Sequence, residues 1–496
     1  MVMCMKQSSL MHGALLLCGG NIFLRLCSMF FQVYLSRTIG AEGMGLLQLI
    51  FTVNGLAMIL GCSGVRTASM ILSAEEHGRN SLSGVRCAVR ACLIYGLLVS
   101  MVVGAVFFFL ANPIASHWIG NDAASGGILI AALFLPFSCL CAVMGGYFTA
   151  CGKLKQYIGV EIGERLLSFA ITLLLLQAWA KDNLSRACVA IIGGSSIGSA
   201  LDFIVLFILY RHNCQGSKKA SPISMRRRLL RLCIPLALND YLRYGLDTIE
   251  QFLIPYGLQQ YGYSYTSSMQ AYGMLHGMVF PTLMFPAVLL YSLSDLLIPA
   301  LSRARAQNNS ARICSVTEKC LHIGFLFAIG IGGFFLICAK PLGILLFHDE
   351  RAGIELQIYA PLTLILYVDA IVDGVLKGLS EQVSNVRYNT LTSCFDVFGL
   401  LLLLPRYGMK GFFLSFLLTH VLNLFLSIRR LCFVTKWYPS LWTSLRLLLA
   451  SAMALCFTVW CIPSSLPKIS LLLLRTLVWG LLFCGIVWRK KKSCSL

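Results

Sequence analysis

Ionisable side chains stand inside long apolar runs of this sequence, where each needs a partner or water to offset the cost of leaving water. The densest set lies at about 229–256, where Asn239, Asp240, Arg243, Asp247, Glu250 and Gln251 recur at three- and four-residue steps. That spacing places them on one helix face as a polar stripe. A second stripe, Asn21, Arg25, Ser28 and Gln32, runs through 11–35, and Arg66 and Asp295 interrupt the runs at 44–73 and 270–300. Glu161, Glu164, Arg165 and Ser168 lie in 157–180, Asp369, Asp373 and Lys377 in 355–379, and Asn385, Asn389, Thr392 and Asp396 in 385–404. A guanidinium presents a planar fork that donates two parallel hydrogen bonds to a phosphate. Arg25, Arg66 and Arg243 therefore read as an anion site, with Asn21 and Asn239 beside it. Asp240, Asp247, Glu250, Glu161, Asp369 and Asp373 read as coupling or cavity acids. The competing reading is internal pairing at i, i+4, Glu161 with Arg165 or Asp373 with Lys377, which would only pin helices. Arg446 and Arg475, near the C-terminus, are expected at lipid headgroups or a lateral groove.

The elements that carry these residues are helices in lipid. The sequence is 58% hydrophobic and 12% charged, about half the charge of a soluble domain, so it cannot cover itself with polar surface. About fourteen runs reach spanning length, which makes the chain an all-α polytopic membrane protein. Lys and Arg favour alternate loops by roughly three to one, which places both termini in the cytoplasm. The net charge of +20 is thus a topology signal, anchored at Arg226-Arg227-Arg228 and Arg489-Lys490-Lys491-Lys492, and not a nucleic-acid face. Most of the 21 Cys are isolated within apolar runs and act as small hydrophobes. The run from Met11 to Leu35 is too long for a leader core and reads as a retained first span. Neither a phosphate loop, a metal constellation nor a nucleophile set is visible, so no enzyme activity, cofactor or metal is expected.

The two halves repeat at an offset of 228 residues. Gly45 matches Gly273, Ala111-Asn112-Pro113 matches Ala339-Lys340-Pro341, and Gly146 and Ala150 match Gly374 and Gly378. With a further shift of about ten, Asn21 and Arg25 fall on Asn239 and Arg243. Six spans separate equivalent positions, an even number, so the repeats run parallel across the membrane. The expected organisation is two pseudo-symmetric six-helix lobes, 1–212 and 229–430, joined by a basic cytoplasmic linker at 213–228. Two extra transmembrane helices and a basic tail follow at 431–496.

These motifs, in this order, resemble the multidrug/oligosaccharidyl-lipid/polysaccharide exporter superfamily, and within it the branch of stage V sporulation protein B and related oligosaccharide flippases. The likeness rests on Leu35-Ser36-Arg37 with Gly40, Glu42, Gly45 and Gln48, then Gly64-Val65-Arg66, and Gly145-Gly146 with Glu161 and Glu164 downstream. It continues through Ile234-Pro235-Leu236, Leu253-Ile254-Pro255, Ala271-Tyr272-Gly273-Met274, Phe285-Pro286 and Ile298-Pro299-Ala300, over essentially the whole chain. The resemblance implies a two-lobe, V-shaped transporter of the cell membrane that moves lipid-linked sugar precursors by alternating access, for wall, spore-cortex or polysaccharide assembly. In the related lipid II flippases cavity arginines hold a pyrophosphate and the last two spans form a groove for the lipid tail. Arg25 falls at such an arginine and takes that role by resemblance, whereas Arg66 and Arg243 are added from depth and periodicity. The acids beside Arg243 depart from a purely cationic cavity and leave room for H+ or Na+ as a coupling ion. The expected partners are the lipid-linked saccharide and membrane lipid, with the chain acting as a monomer. An organic-cation or drug antiporter of the same fold is the alternative, and it would lean on the acids instead.

Overall fold

The computed structural model describes residues 2–79, 81–180, 183–213, 223–436, 438, 441–462 and 467–493. Within those ranges the side chains of 2–18, Asn21, Ile223, Ser224, Arg226, Pro235, Leu236, Asn239, Asp295, Leu296, Pro299 and some residues near the C-terminus lie outside the description. Every described element is helical, as the apolar runs require when backbone groups can find no water. Among the described residues eight helices are long and apolar enough to span a membrane, or ten when each sharply bent pair counts as one. One of the eight, Ile22–Gly78, holds 57 residues, roughly 85 Å of helix and enough for two crossings. The chain packs as two units, Met1–Phe31 with Glu42–Pro255, and Gln32–Ala41 with Tyr256–Leu496. Residues 214–222 of the expected linker lie outside the described residues, and from Ile223 the chain is already helical.

Helix α1 (Val2–Cys62), whose segment Gln32–Ala41 belongs to the second unit, is kinked within that segment at Gly40, which holds φ +67°. It stops at Ser63-Gly64, where Gly64 adopts φ +73°, and α2 (Val65–Gly78) begins. The expected span at 44–73 is thus a broken helix, because Gly64 takes up a left-handed conformation that a β-carbon disfavours. Four helices follow: α3 (Leu82–Pro113), α4 (Ser125–Ala150), α5 (Leu154–Trp179) and α6 (Leu184–Asn213). The long α7 (Ile223–Tyr261) closes the set, and only its end from Tyr256 onward belongs to the second unit. A core of Ala68, Leu72, Ala88, Val89, Cys92, Tyr147, Phe148 and Leu206 joins α2, α3, α4 and α6.

The second unit repeats that plan. The span expected at 270–300 is interrupted: α8 (Tyr265–Met274) runs into a π-helical turn at Leu275–Val279, then α9 (Phe280–Met284) and α10 (Ala287–Ala306), with a 58° bend. Next come α11 (Ser310–Phe347), α12 (Glu350–Tyr359), α13 (Leu362–Gly378), α14 (Gln382–Tyr407) and α15 (Met409–Thr435). The span expected at 355–379 is also broken, bending by 57° between α12 and α13 around Pro361. The additional pair is α16 (Leu441–Cys461) and α17 (Lys468–Ser493). His276 and His420 serve packing, as a lone His in an apolar run should: His276 lies between Tyr272 and Phe280, and His420 stacks on Phe416 at 3.8 Å. Gln32 donates to the Gly277 carbonyl in the π turn at 3.0 Å. Arg37 donates from Nε to Leu346 O at 2.6 Å and from Nη2 to Leu345 O, so α1's middle segment caps the end of α11.

The 228-residue offset holds through the backbone. Leu82 and Ser310 open α3 and α11, and Trp179 and Tyr407 close α5 and α14. Gly120 and His348 both turn left-handed, and Asn121 and Asp349 then cap the next helical turn with their side chains. A β-carbon on Gly104 would sit 2.7 Å from Ala132 O, and Gly332 faces the equivalent Ala360 carbonyl. Gly146 lies against Arg66 O on α2 just as Gly374 lies against Ser294 on α10. The two units are therefore pseudo-symmetric in these helix-to-helix contacts as well as in their residues.

Candidate functional site

Arg25, Arg66, Arg243, Asp240, Asp247, Glu250 and Glu161 all fall in the first unit; Asp369 and Asp373 fall in the second. Asn21 and Asn239 carry side chains outside the described residues. The break in the second expected span organises the first set. Helix α1 ends with free carbonyls, and Tyr241 OH donates to Leu60 O at 3.0 Å while Ser63 Oγ donates to Asp240 Oδ2 at 2.5 Å. These bonds seat α7 against the break. Arg66 and Arg243 each stand three residues from the Ser63–Asp240 contact. Arg66 also occupies the first turn of α2, whose capping residue Gly64 offers no side chain, so the helix end adds partial positive charge there.

Arg25, Arg66 and Arg243 are exposed, and none of the three forms an ion pair among the described residues. Arg243 stands one turn from Asp247 on α7, and its charge acts on that carboxyl group. Arg66 also lies 6.0 Å from the centre of the Tyr157 ring on α5. The first segment of α1 reaches the same helix through Phe31 stacked on Phe169 at 4.1 Å, which orients the turn carrying Arg25.

The acids are arranged differently. Asp240 is bonded to Ser63, and Asp247 is half-buried on the next turns of α7. No ion pair joins Glu161 to Arg165 among the described residues, so the proposed i, i+4 brace is not formed there. In the second unit Asp369 Oδ2 accepts from Asn423 Nδ2 at 3.0 Å. Asp396, mentioned only as part of a polar run, is buried on α14 and accepts hydroxyls from Ser415 at 2.7 Å and Thr419 at 3.3 Å. Asn423, Ser415 and Thr419 escaped the sequence reading because single neutral polar residues on α15 leave no charge to notice. Their shared i, i+4 spacing was the available signal.

Arg475 is a correction. It was expected at headgroups or a lateral groove, and it is instead buried, donating from Nη1 to Ile337 O at 3.0 Å and from Nη2 to Ile462 O at 3.1 Å. The reason is Pro341, which lacks the N–H that would have bonded Ile337 O four residues earlier. Ile462 lies just beyond α16, where helix carbonyls have no partner of their own.

Fold and site define a multi-pass helical membrane protein with charged groups held on discontinuous helices. The model of the family described as polysaccharide biosynthesis protein matches residues 10–305, well over half of the sequence, so the chain belongs to that family. It is 21% identical over 420 residues to stage V sporulation protein B of Bacillus subtilis (strain 168), covering 82% of this chain and 80% of that protein. Among solved structures it is similar to the lipid II flippase MurJ in an inward closed conformation, with a TM-score of 0.73 at 14% identity. That likeness covers 96% of this chain and 99% of the other. An inward-facing multidrug resistance MATE family transporter of the MOP superfamily aligns with a TM-score of 0.63 at 13% identity, over 83% of this chain and 95% of that one. The chain shares the fold of both.

Proposed function

We propose that this protein is a flippase. It moves a lipid-linked oligosaccharide or peptidoglycan precursor of the undecaprenyl-pyrophosphate type across the cytoplasmic membrane by alternating access. The observation that carries this reading is the set Arg25, Arg66 and Arg243: exposed, in no ion pair among the described residues, two of them flanking the α7 contact at a broken span. Guanidinium forks and the free N-terminus of α2 suit a diphosphate, and a drug cation would be repelled there. The family description, and the names of the sporulation protein and the lipid II flippase, support the same substrate class and a role in wall, spore-cortex or polysaccharide assembly. Asp240, Asp247, Glu250 and Glu161, with Asp369 and Asp373 in the second unit, are read as coupling or cavity acids that answer to H+ or Na+. The loop charge supports cytoplasmic termini. The chain works as a monomer in this reading, and its lobes are the expected 1–212 and 229–430.

The test is translocation of a lipid-linked saccharide in reconstituted vesicles, run beside efflux of an organic cation. Replacing Arg25, Arg66 and Arg243 singly by Ala should cut flipping by at least about tenfold, the effect of losing one charge-assisted contact. Full activity in all three variants sinks the site. Cation efflux without flipping sinks the function and favours the antiporter reading, for which the Asp369–Asp373 pair is the specific support.

A further inference from the structure

Three residues of the first unit meet around one guanidinium. Arg66 stands on the first turn of α2 with its Cζ 6.0 Å from the centre of the Tyr157 ring. Tyr157 lies on the first turn of α5, into which Gly152, at φ +71°, turns the chain from the end of α4. Its ring rests on the bare backbone of Gly145, where a β-carbon would sit 3.0–3.1 Å from the hydroxyl and the ring edge. The neighbouring Gly146 seats the α2 backbone, since a β-carbon there would meet Arg66 O at 2.5 Å. Beside it Ser69 Oγ donates to Val143 O at 2.8 Å and ties α2 to α4. Successive glycines of α4 thus hold the two partners, one the ring and the other the turn that carries the guanidinium.

The second unit separates the two roles. At the 228-residue offset Gly146 is matched by Gly374, which again packs against the facing helix, at Ser294. The mates of Arg66, Tyr157 and Gly145 are Ser294, Asn385 and Asp373, so guanidinium, ring and bare backbone are replaced together. The helix contact survives without them, and packing alone does not call for the trio. In the first unit Tyr157 packs against the core that holds Ala88, Cys92, Tyr147 and Phe148, which fixes the ring, while Arg66 is exposed. A ring attracts a cation through its quadrupole and takes up neither the positive charge nor an N–H donor of the guanidinium. Restricting an exposed arginine before a ligand arrives also lowers the ordering cost of binding.

We propose that Tyr157 is a positioning residue for Arg66: its ring, seated on Gly145, aims the guanidinium and leaves the fork to the phosphate of the transported headgroup. The inference rests on the flippase reading for the identity of that anion, while the aiming of Arg66 stands on the contacts alone. A carboxylate in place of the ring would orient Arg66 as well but cancel its charge. Glu161, one turn further along α5, forms no ion pair with Arg66 among the described residues. The Tyr157 hydroxyl is not required in this role, because the attraction comes from the ring face. Loss of the ring should weaken capture of the headgroup without slowing the step that follows, since Arg66 itself is still present.

The test uses the full-length protein in vesicles, with an undecaprenyl-pyrophosphate-linked disaccharide as the transported probe. Tyr157→Leu should raise the half-saturating probe concentration about threefold and keep the maximal rate within about twofold. Tyr157→Phe should match the unsubstituted protein, and in an Arg66→Ala background Tyr157→Leu should have no further effect. A second measurement needs no substrate: the rate at which phenylglyoxal modifies Arg66, followed by peptide mass spectrometry. That rate should rise about threefold in Tyr157→Leu and stay unchanged in Tyr157→Phe, with Arg25 unmoved in both. Equal losses in Tyr157→Phe and Tyr157→Leu, a Tyr157→Leu effect that persists without Arg66, or an Arg66 reactivity indifferent to the ring overturns the positioning role. Altered reactivity with no saccharide flipping by the unsubstituted protein keeps that role and removes the flippase; flipping that needs Arg66 but ignores the ring does the reverse.

Discussion

Pro113 and Pro341 are repeat mates, 228 residues apart, yet the two units handle the loss of a backbone donor in opposite ways. In the first unit the α-helix ends at Pro113 and the chain continues as a π-helical turn, Ile114–Ile119. Ser116 Oγ of that turn donates to Asn112 O, in the last turn of α3, at 3.0 Å. In the second unit α11 runs on past Pro341 to Phe347, and a remote guanidinium, Arg475 of α17, takes the freed Ile337 carbonyl. The faces of the two helices follow suit. Val102 and Phe109 on α3 are 65% and 79% exposed, facing outward from their unit. Their mates, Gly330 and Ile337, are covered by α17, where Trp479 Nε1 donates to Gly330 O at 2.9 Å and its ring lies against Gly333. A duplicated helix has thus become a dock by trading side chains for glycines and leaving a carbonyl to be filled.

The largest test of that contrast is Arg475→Met. It strands two buried carbonyls and should cost about 3 kcal/mol, read as a fall in thermal midpoint of the solubilised protein. In a Pro341→Ala background Ile337 O regains a backbone donor, so the same substitution should cost about 1–2 kcal/mol less. Pro113→Ala should show no such coupling. Equal costs in all three backgrounds would mean that Arg475 does not act through the proline gap.

Much of this contrast was open to reading in the sequence. The offset of 228, with Pro113 over Pro341 and Gly146 over Gly374, located the helix ends and the pseudo-symmetry, because Gly and Pro act locally on the backbone. The break at Ser63-Gly64 was not legible, since glycine is tolerated within membrane helices and only its φ of +73° shows the difference. Arg475 was misplaced because its partners are backbone carbonyls, which no side-chain pattern displays. Arg25, Arg66 and Arg243 were legible as charge in apolar runs, but their exposure depends on packing. Asn423 became meaningful only when α15 was set beside α13, where it donates to Asp369.

A smaller effect is expected where the glycine itself is changed. Gly333→Ala drives a β-carbon into the Trp479 ring, which is held in place by its bond to Gly330 O. Overpacking of that kind should cost about 1–3 kcal/mol. The repeat mate is Ala105 on α3, and Ala105→Gly should cost no more than about 1 kcal/mol, the helix-propensity difference alone. Thermal unfolding of both variants ranks them, and equal costs would remove the docking role assigned to the glycine.

The smallest expected effect lies where the repeat reverses its charges. Glu75 and Lys153 in the first unit occupy the positions of Arg303 and Glu381 in the second. Glu75 and Glu76 meet Arg228, and Arg79 reaches Glu76 at 3.0 Å, whereas Glu381 is clasped by Arg430 at 2.8 Å. Burial would raise the Glu381 carboxyl, but hydrogen bonds from Arg430 and Ser384 and the charges of Arg430 and Arg305 outweigh it and hold it below its usual value. A depressed carboxyl contributes stability that is full above the unfolded value, near about 4.3, and is lost as pH falls through the folded one. Glu381→Gln should therefore lower the thermal midpoint at pH 6 by the equivalent of under about 1 kcal/mol, as expected for a partly exposed pair. It should also flatten the decline in midpoint between about pH 4.5 and pH 3. An unchanged acid slope in this variant would show that the Arg430 clasp does not lower the carboxyl, and would leave the charge reversal without an energetic consequence.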